Sequence, residues 1–190
     1  MAANESKIRI GMSRAFWASR LDDGKYGPVR EFEWPEECTI SVGGSDSQVI
    51  YAGDKQRYKK SGAASKELAV QMTKFSREFL SACCGQVLEE AATGGISDTG
   101  DGTAKEFAFG METTGDQGKI RTWFYCCTST VPVHSPKTNT DQLVEAADTA
   151  TFTAVSVECT GDGVERLSTT FEVGDAGYDT CFDAVPFQSA

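Results

Sequence analysis

The sequence predicts a mainly β protein, a β-sandwich or open barrel with one flanking α-helix. Seven or eight short segments have the pattern of strands and are separated by Gly/Asp turns, which is typical of sandwiches and barrels. One further segment carries the signals of a short helix, and no βαβ alternation is present. The length of 190 residues suits one domain. We expect residues 1–190 to form a single domain, with residues 53–64 as an extended basic loop and residues 175–190 as a C-terminal segment.

The first strands are predicted from alternating apolar residues and from turns. Ser13–Leu21 alternates in part, and an Asp-Gly turn in Asp22–Gly27 follows it. Cys38–Gly44 and Ser47–Gly53 are expected to pair across a Gly-Gly-Ser-Asp turn. Residues 65–75 alternate apolar with other side chains, which indicates a half-buried strand.

A short helix is predicted after this strand. Ser76 is a residue type favoured at the N-cap, and Glu78 then lies in the first turn. Phe79, Leu80 and Cys83 follow at helical spacing. Gly85 is placed to end the helix.

The second half of the chain returns to strands. The Gly/Asp/Thr-rich stretch Ala92–Lys105 is predicted to be a hairpin loop, because it lacks the alternating acidic positions and distal Glu of a calcium-binding loop. Asp175–Pro186 is expected to form a terminal helical turn, with Asp175 as its cap and Pro186 as its stop. The strand segments between them are Glu106–Thr113, Gly118–Val133, Thr149–Gly161 and Val164–Gly174.

Adjacent cysteines, Cys126 and Cys127, precede the single histidine, His134, by a few residues. A Cys–His pair can be a nucleophile with its base or half of a metal site. The β-period instead places the two thiols on opposite faces of a strand rich in aromatic residues, where buried cysteines are inert. His134 lies beyond that strand, beside the loop signal Ser135-Pro136. We therefore predict two packing residues and one loop residue.

Known catalytic and cofactor motifs are missing from the sequence. There is no nucleophile elbow, G-x-G-x-x-G, P-loop or H-E-x-x-H sequence. A pair of carboxylates brought together by the fold stays open, since nothing in the sequence singles one out. We expect no enzymatic activity, no catalytic residue, no cofactor and no metal.

The cysteine count and the hydropathy pattern indicate a reduced, soluble protein. Seven cysteines are an odd number without a C-x-x-C pair, which suits neither a disulfide framework nor a zinc site. No apolar run reaches the ~18 residues of a membrane span. The first residues lack the layout of a signal peptide. We expect a protein that is made and assembled in the cytosol and has no membrane partner.

The net charge of −10 is unevenly distributed. Residues 141–190 contain a single base, Arg166, whereas acids and bases nearly balance in the rest of the chain. Such an excess repels polyanions, so specific DNA or RNA binding is not expected. The acids in this segment are Asp141, Glu145, Asp148, Glu158, Asp162, Glu165, Glu172, Asp175, Asp179 and Asp183.

A basic cluster in residues 53–64 contrasts with this acidic end. It is either a solvated loop or an arm that docks on an acidic patch, such as the last fifty residues of another copy. Complementary surfaces of this kind allow head-to-tail packing. The candidate contact residues between subunits or rings are Lys55, Arg57, Tyr58, Lys59 and Lys60.

The order of these segments resembles the major tail (tail tube) proteins of long-tailed, siphovirus-type bacteriophages. In that family an aromatic strand runs into a loop and then a Lys-Thr-x-Thr-Asp stretch, here Lys137–Asp141. A second strand hairpin follows. The double cysteines and the basic arm depart from the family pattern. The segments that carry the resemblance are IGMSRAFWASRLDDGKYGPVREF (10–32), VIYAGDKQRY (49–58), KELAVQMTKFSREFLSACCGQ (66–86), EFAFGMET (106–113), KIRTWFYCCTSTVPVHSPKTNTDQL (119–143) and TFTAVSVE (151–158).

The resemblance implies a structural virion protein. Six subunits would join their sheets into a ring around a central β-barrel, and rings would stack into the tail tube through which DNA is ejected into the host. The implied partners are other copies of the chain, the tape-measure protein, the tail terminator and the tail-tip proteins. DNA would pass through the lumen without specific binding. The implied location is the phage tail, assembled in the bacterial cytoplasm, and part of the acidic excess is expected to line the lumen.

Two other interpretations stay open. One is the tube of a phage-derived secretion device or contractile tail. The other is a small β-sandwich that binds carbohydrate or peptide through an exposed aromatic platform formed by Trp17, Trp34 or Trp123.

Overall fold

The computed structural model describes residues 9–43, 48–52, 55–60, 65–89, 94–115, 118–136, 146–159 and 162–187. Within these ranges the chain is mainly antiparallel β with one short helix, which confirms the predicted class. In chain order the elements are β1 (Arg9–Ser19), β2 (Arg30–Phe32), β3 (Pro35–Gly43), β4 (Gln48–Ala52), β5 (Lys55–Lys60), β6 (Ser65–Met72), α1 (Arg77–Cys83), β7 (Val87–Glu89), β8 (Gly95–Ser97), β9 (Phe107–Gly115), β10 (Lys119–Ser129), β11 (Val133–His134), β12 (Asp148–Val155), β13 (Val157–Glu158), β14 (Glu165–Arg166) and β15 (Ser168–Phe171).

One sheet of nine strands forms the body of the protein. Its order is β2-β1-β9-β10-β12-β6-β3, with β11 beside β12 and β15 beside β10. The first half of β10 pairs with β15 and its second half with β12. The smaller pairs β4–β5, β7–β8 and β13–β14 lie outside this sheet.

The two ends of the large sheet meet. β2 and β3 are at opposite ends of the strand order, yet only Glu33 and Trp34 separate them in the chain. β3 also approaches β1 without pairing with it. The sheet therefore curls until its ends adjoin, which gives it an inner and an outer side.

The inner side is filled with aromatic rings. Phe107, Phe109 and Phe152 are fully buried there, and the centroids of Phe107 and Phe152 lie 5.1 Å apart in an edge-to-face arrangement. Pairs of this kind add about 0.5–1.5 kcal/mol to the burial of apolar area. The inner core thus holds the curl together from β1 to β6.

Helix α1 packs against this core and confirms the sequence prediction. The Ser76 hydroxyl accepts a hydrogen bond from the Phe79 amide at 3.2 Å, as an N-cap does. Gly85 has φ +75° just beyond the helix, a conformation that glycine adopts without strain. The Phe79 ring is buried against Trp17 and Phe32, with centroids 5.4 and 4.9 Å away.

The described part of the C-terminal segment, residues 175–187, covers the outer side of β1, β9 and β10. Phe182 stacks on Phe16 with centroids 4.1 Å apart. The Trp123 indole N–H donates to the Cys181 carbonyl at 2.7 Å. The predicted helical turn was wrong, because the segment is a series of short turns. The Asp175 carboxylate accepts from the Glu172 amide behind it instead of capping a helix ahead of it.

The predicted pairing of Cys38–Gly44 with Ser47–Gly53 was also wrong. β3 pairs with β6, from Pro35 opposite Met72 to Gly43 opposite Ser65, while β4 pairs with β5. The reason is the core: pairing with β6 sets Cys38 beside Val70 and continues the inner apolar surface to the last strand.

Candidate assembly surfaces

The structure does not bring the two cysteines of the Cys126–His134 stretch together with its histidine. Cys127 is fully buried in the inner core, whereas the Cys126 thiol lies 3.9 Å from the Arg20 guanidinium. The strand has a β-bulge at this point, because Tyr125 and Cys126 together oppose one residue of β9. The bulge separates the positions of the two adjacent thiols. Burial raises the pKa of Cys126 to about 11 and the pKa of Cys127 well above its ordinary value. Both thiols therefore stay protonated, in keeping with the predicted packing role.

His134 is in a short strand and not in the predicted loop. It belongs to β11, whose two residues pair with the start of β12. The ring Nδ1 contacts the Asp148 carboxylate, which is nearly buried, while the imidazole is exposed. The ladder of β12 extends past the end of β10 and supplies a partner for this segment. His134 pairs with Asp148 at the start of β12, whereas Cys127 pairs with Ala154 near its end, so the histidine and the cysteines are well separated along this strand.

The predicted basic loop forms part of a hairpin. Lys55, Arg57, Tyr58, Lys59 and Lys60 make up most of β5, which pairs with β4 from Lys60 opposite Gln48 to Lys55 opposite Ala52. The other predicted loop residues, 53–54 and 61–64, lie outside the described ranges. Apart from pairing with each other, β4 and β5 make at most marginal contact with the other described elements. We call this pair of strands the basic hairpin.

The outer side of β3, β6, β10–β11 and β12 is polar, and its side chains are exposed or half-buried among the described residues. Its strands place side chains in three rows of four, and Thr151, for example, lies between Thr130 and Ala69. Six of the twelve residues are threonine and two are glutamate; none is Lys, Arg or His. We call this surface the threonine face, and its rows are Val133-Thr149-Gln71-Glu37, Thr130-Thr151-Ala69-Thr39 and Thr128-Thr153-Glu67-Ser41.

The threonine face is slightly concave. Its first two rows line a shallow groove of about 420 Å³ that crosses all four strands. The Thr151 amide donates to the Thr130 hydroxyl at 3.1 Å, so part of the hydroxyl array is held by the sheet backbone. The surface offers hydroxyl groups and two carboxylates but no fixed positive charge.

β3 is an edge strand with apolar exposure. In the described residues, its second edge pairs with no strand. Ile40 is 39% and Val42 82% exposed on it. Long edges of this kind are sites where another chain can add a strand.

Trp34 is the one tryptophan at the surface. It is 75% exposed, whereas Trp17 and Trp123 are buried. Its φ of +55° is unusual for a bulky residue and costs about 1–3 kcal/mol. The Trp34 carbonyl accepts from the Thr73 amide at 3.2 Å, which ties the corner between β2 and β3 to the end of β6.

A groove of about 780 Å³ lies on one side of Trp34 and is lined by Ser13, Glu31, Phe32, Glu33, Trp34 and Pro35. We call it the Trp34 groove. Arg14 Nε and Nη2 bind the Glu31 carboxylate at 2.6 and 2.8 Å, and these hydrogen bonds lower its pKa. A neighbouring groove of about 710 Å³ shares Glu31, Glu33 and Trp34 with it and is also lined by Arg30, Lys74 and Arg77.

Glu112 is the most deeply buried charged residue among those described, with 1% of its surface exposed. Lys119 Nζ lies 2.6 Å and Arg121 Nε 3.1 Å from its carboxylate, and the Ser13 hydroxyl donates at 3.0 Å. Burial by itself raises the pKa of Glu112, but the hydrogen bonds from Lys119, Ser13 and Arg121 outweigh it and leave the pKa lowered. Arg121 also donates to the Tyr178 carbonyl. The group therefore anchors the C-terminal segment.

Sequence reasoning identified the basic residues and missed the threonine face, Trp34 as the exposed tryptophan, and Glu112. The period-two threonines at 149, 151 and 153 were the available signal for the face. Nothing local signals that Glu112 is buried, because its partners come from strands β1 and β10.

Comparison with known protein families gives no match, and comparison with curated proteins finds no relative. In the described part of the chain, no helix is long and apolar enough to cross a membrane. The same residues contain no group of three or more His, Cys, Asp or Glu side chains placed to hold a metal ion. The described residues therefore present four surfaces that another molecule could contact. They are the threonine face, the free edge of β3, the basic hairpin and the Trp34 groove.

Proposed function

We propose that this chain is the structural subunit of a bacteriophage tail tube, in which hexameric rings stack into a conduit for DNA. The observation that carries the proposal is the threonine face. It is wide and concave, and no positive side chain occupies any of its twelve positions.

A channel for DNA must not hold the polymer. Each contact between a phosphate and Lys or Arg releases counterions and strengthens binding. A wall of threonine hydroxyls offers only neutral groups, and Glu37 and Glu67 repel phosphate. The threonine face meets this requirement, so we assign it to the lumen.

Ring closure requires sheets that join from one subunit to the next. The free edge of β3 supplies unpaired backbone groups, and Val42 supplies apolar surface beside them. Closure of a ring hides such edges in every subunit. This gives the exposed edge a role that it lacks in a monomer.

In this proposal the protein works without catalysis, cofactor or metal. Its partners are other copies of itself, the tape-measure protein in the lumen, and the terminator and tail-tip proteins at the tube ends. It is assembled in the bacterial cytoplasm and resides in the virion tail. A tube of a phage-derived secretion device would use the same surfaces.

Electron microscopy of the purified chain, negatively stained over a range of concentrations and ionic strengths, tests the proposal. Rings or tubes with a central channel are the expected result. A species that stays monomeric at every concentration and salt would overturn it.

The exposure of Trp34 favours one second candidate, a carbohydrate-binding module with this residue as its platform. Since the other two tryptophans are buried, quenching of intrinsic fluorescence by a soluble glycan would report on Trp34 alone. A saturable change with a monomeric chain would support this candidate. Tubes whose fluorescence is unaffected by glycans would exclude it.

A further inference from the structure

We propose that the Trp34 groove is the docking site for the basic hairpin of a second copy of the chain. The inference rests on the self-assembly of the proposed function and names the two surfaces that make the contact between successive copies. It replaces the acidic C-terminal segment, expected from sequence, as the acceptor for the basic residues.

The groove has the chemistry to receive a cationic segment. Two carboxylates, Glu31 and Glu33, line it together with the indole of Trp34, and no Lys or Arg does. Arg14 occupies Glu31, whereas no hydrogen bond or ion pair to Glu33 is present in the described residues. Among the aromatic side chains, tryptophan binds cations best through the face of its ring. Its exposure and left-handed φ present the ring outward.

The hairpin has the complementary charge. Four of the six residues of β5 are Lys or Arg, and one of the other two is Tyr58. β4 and β5 pair with each other and make at most marginal contact with the remaining described elements. Opposite charges on two surfaces of one chain favour association of separate copies.

In chain order the basic hairpin lies between Gly43 of β3 and Ser65 of β6, which pair with each other at the end of these strands opposite the Trp34 groove. β3 begins at Pro35, beside the Trp34 groove, and ends at Gly43, where the chain leaves for the hairpin. Eight residue steps along a strand span about 26 Å. Two copies placed end to end along this direction bring the hairpin of one toward the groove of the next. Such a contact is heterologous and repeats without limit, as a stack of rings requires.

Sedimentation velocity of full-length chains, with negative-stain microscopy in parallel, tests the contact. The acceptor variant is Glu33→Lys and the donor variant is Lys59→Glu with Lys60→Glu. Asp179→Lys serves as the matched control, because it reverses an exposed acid of the C-terminal segment. We expect both contact variants to abolish long assemblies and the control to assemble like the unmodified chain.

Mixing the two contact variants provides a second readout. In the mixture the unmodified hairpin of one variant meets the unmodified groove of the other, and the reversed hairpin meets the reversed groove, so both contacts pair opposite charges. We expect the mixture to form the long assemblies that neither variant forms alone. A heterologous contact gives this outcome, whereas general loss of folding does not.

Trp34→Gly removes the ring at a position whose φ suits glycine, so the chain should fold as before. Loss of the cation–ring contact should weaken stacking roughly tenfold. Unchanged stacking in Trp34→Gly and Glu33→Lys would overturn the inference while leaving tube formation in place. Loss of stacking in Glu33→Lys but not in the hairpin variant would also overturn it, since another segment would then occupy the groove. An unmodified chain that never assembles would instead overturn the proposed function, and this contact with it.

Discussion

The outer side of the curled sheet has two halves that differ in nearly every respect. Over β1, β9 and β10 it carries Phe16, Trp123 and Tyr125, and the C-terminal segment covers it. Over β3, β6 and β12 it carries threonines and is bare among the described residues. Strand β10 belongs to both halves, and its bulge at Tyr125–Cys126 marks the boundary.

The contrast shows where the chain completes its own fold and where it does not. A large aromatic surface left exposed would promote aggregation. The C-terminal segment packs on this surface and covers it. The threonine face needs no cover, because hydroxyl groups remain hydrated. A surface that is bare, concave and free of cations is available for a function outside the subunit.

The two halves should differ most in the loss of stability when one side chain is replaced by alanine. Trp123→Ala removes a fully buried indole and its hydrogen bond to Cys181, and should lower the free energy of unfolding by about 3–5 kcal/mol. Thr151→Ala, on the bare half, is the control and should change it by less than about 0.5 kcal/mol. Urea unfolding followed by circular dichroism measures both. Equal losses would remove the distinction between a structural and a free half.

The charged anchor under the C-terminal segment should show a pH dependence. Glu112→Gln should destabilise the protein by about 2 kcal/mol at neutral pH, because hydrogen bonds to a buried charge are lost. The folded pKa of Glu112 is lowered, so its contribution is complete above the unfolded value of about 4.3 and disappears as pH falls through the folded pKa. The gap between the two proteins should therefore narrow in acid. A gap that is constant from neutral pH to pH ~3 would contradict this role.

A smaller effect is expected at the edge of the bare half. His134→Ala removes an exposed ring that contacts Asp148, and should cost no more than about 1 kcal/mol. Assembly seen by microscopy should be intact, since His134 is not one of the twelve residues of the threonine face. Loss of assembly with normal folding would give the histidine a role that its exposed position does not suggest.

The smallest effect on stability should come from a change with a functional consequence. Thr151→Lys adds a positive charge at the centre of the threonine face and should alter unfolding by less than about 0.5 kcal/mol. Assemblies of this variant should bind labelled double-stranded DNA at low salt, with affinity that falls as salt rises. Anisotropy measurements against the unmodified assemblies test it. DNA binding that is equal in both would remove the threonine face from the lumen.

Local features of the fold were predictable from sequence. Ser76, Glu78 and Gly85 fixed the bounds of α1 within one turn, because capping depends on neighbouring residues alone. The alternation in β6 predicted a half-buried strand, and Leu68, Val70 and Met72 are its buried residues. The partner of β3 was not predictable, because pairing with β6 depends on a core assembled from residues far apart in the chain.

The candidate surfaces follow the same division. The basic residues of the hairpin form one short run in the sequence, so their charge alone identifies them as a candidate contact. The threonine face contains residues of β3, β6, β12 and the β10–β11 segment. It could not be predicted without the pairing registers between these strands. The buried state of Glu112 likewise depends on Ser13, Lys119 and Arg121 arriving from two other strands.

The two-residue link between β2 and β3 has a mechanical consequence. Glu33 and Trp34 join the first and last strands of the sheet, so a load applied at Trp34 divides between the ladder of β2 with β1 and that of β3 with β6. Two opposed ladders resist unrolling better than either end alone. A residue inserted into this link would loosen the connection between β2 and β3, while the inner core would still hold the curl from β1 to β6.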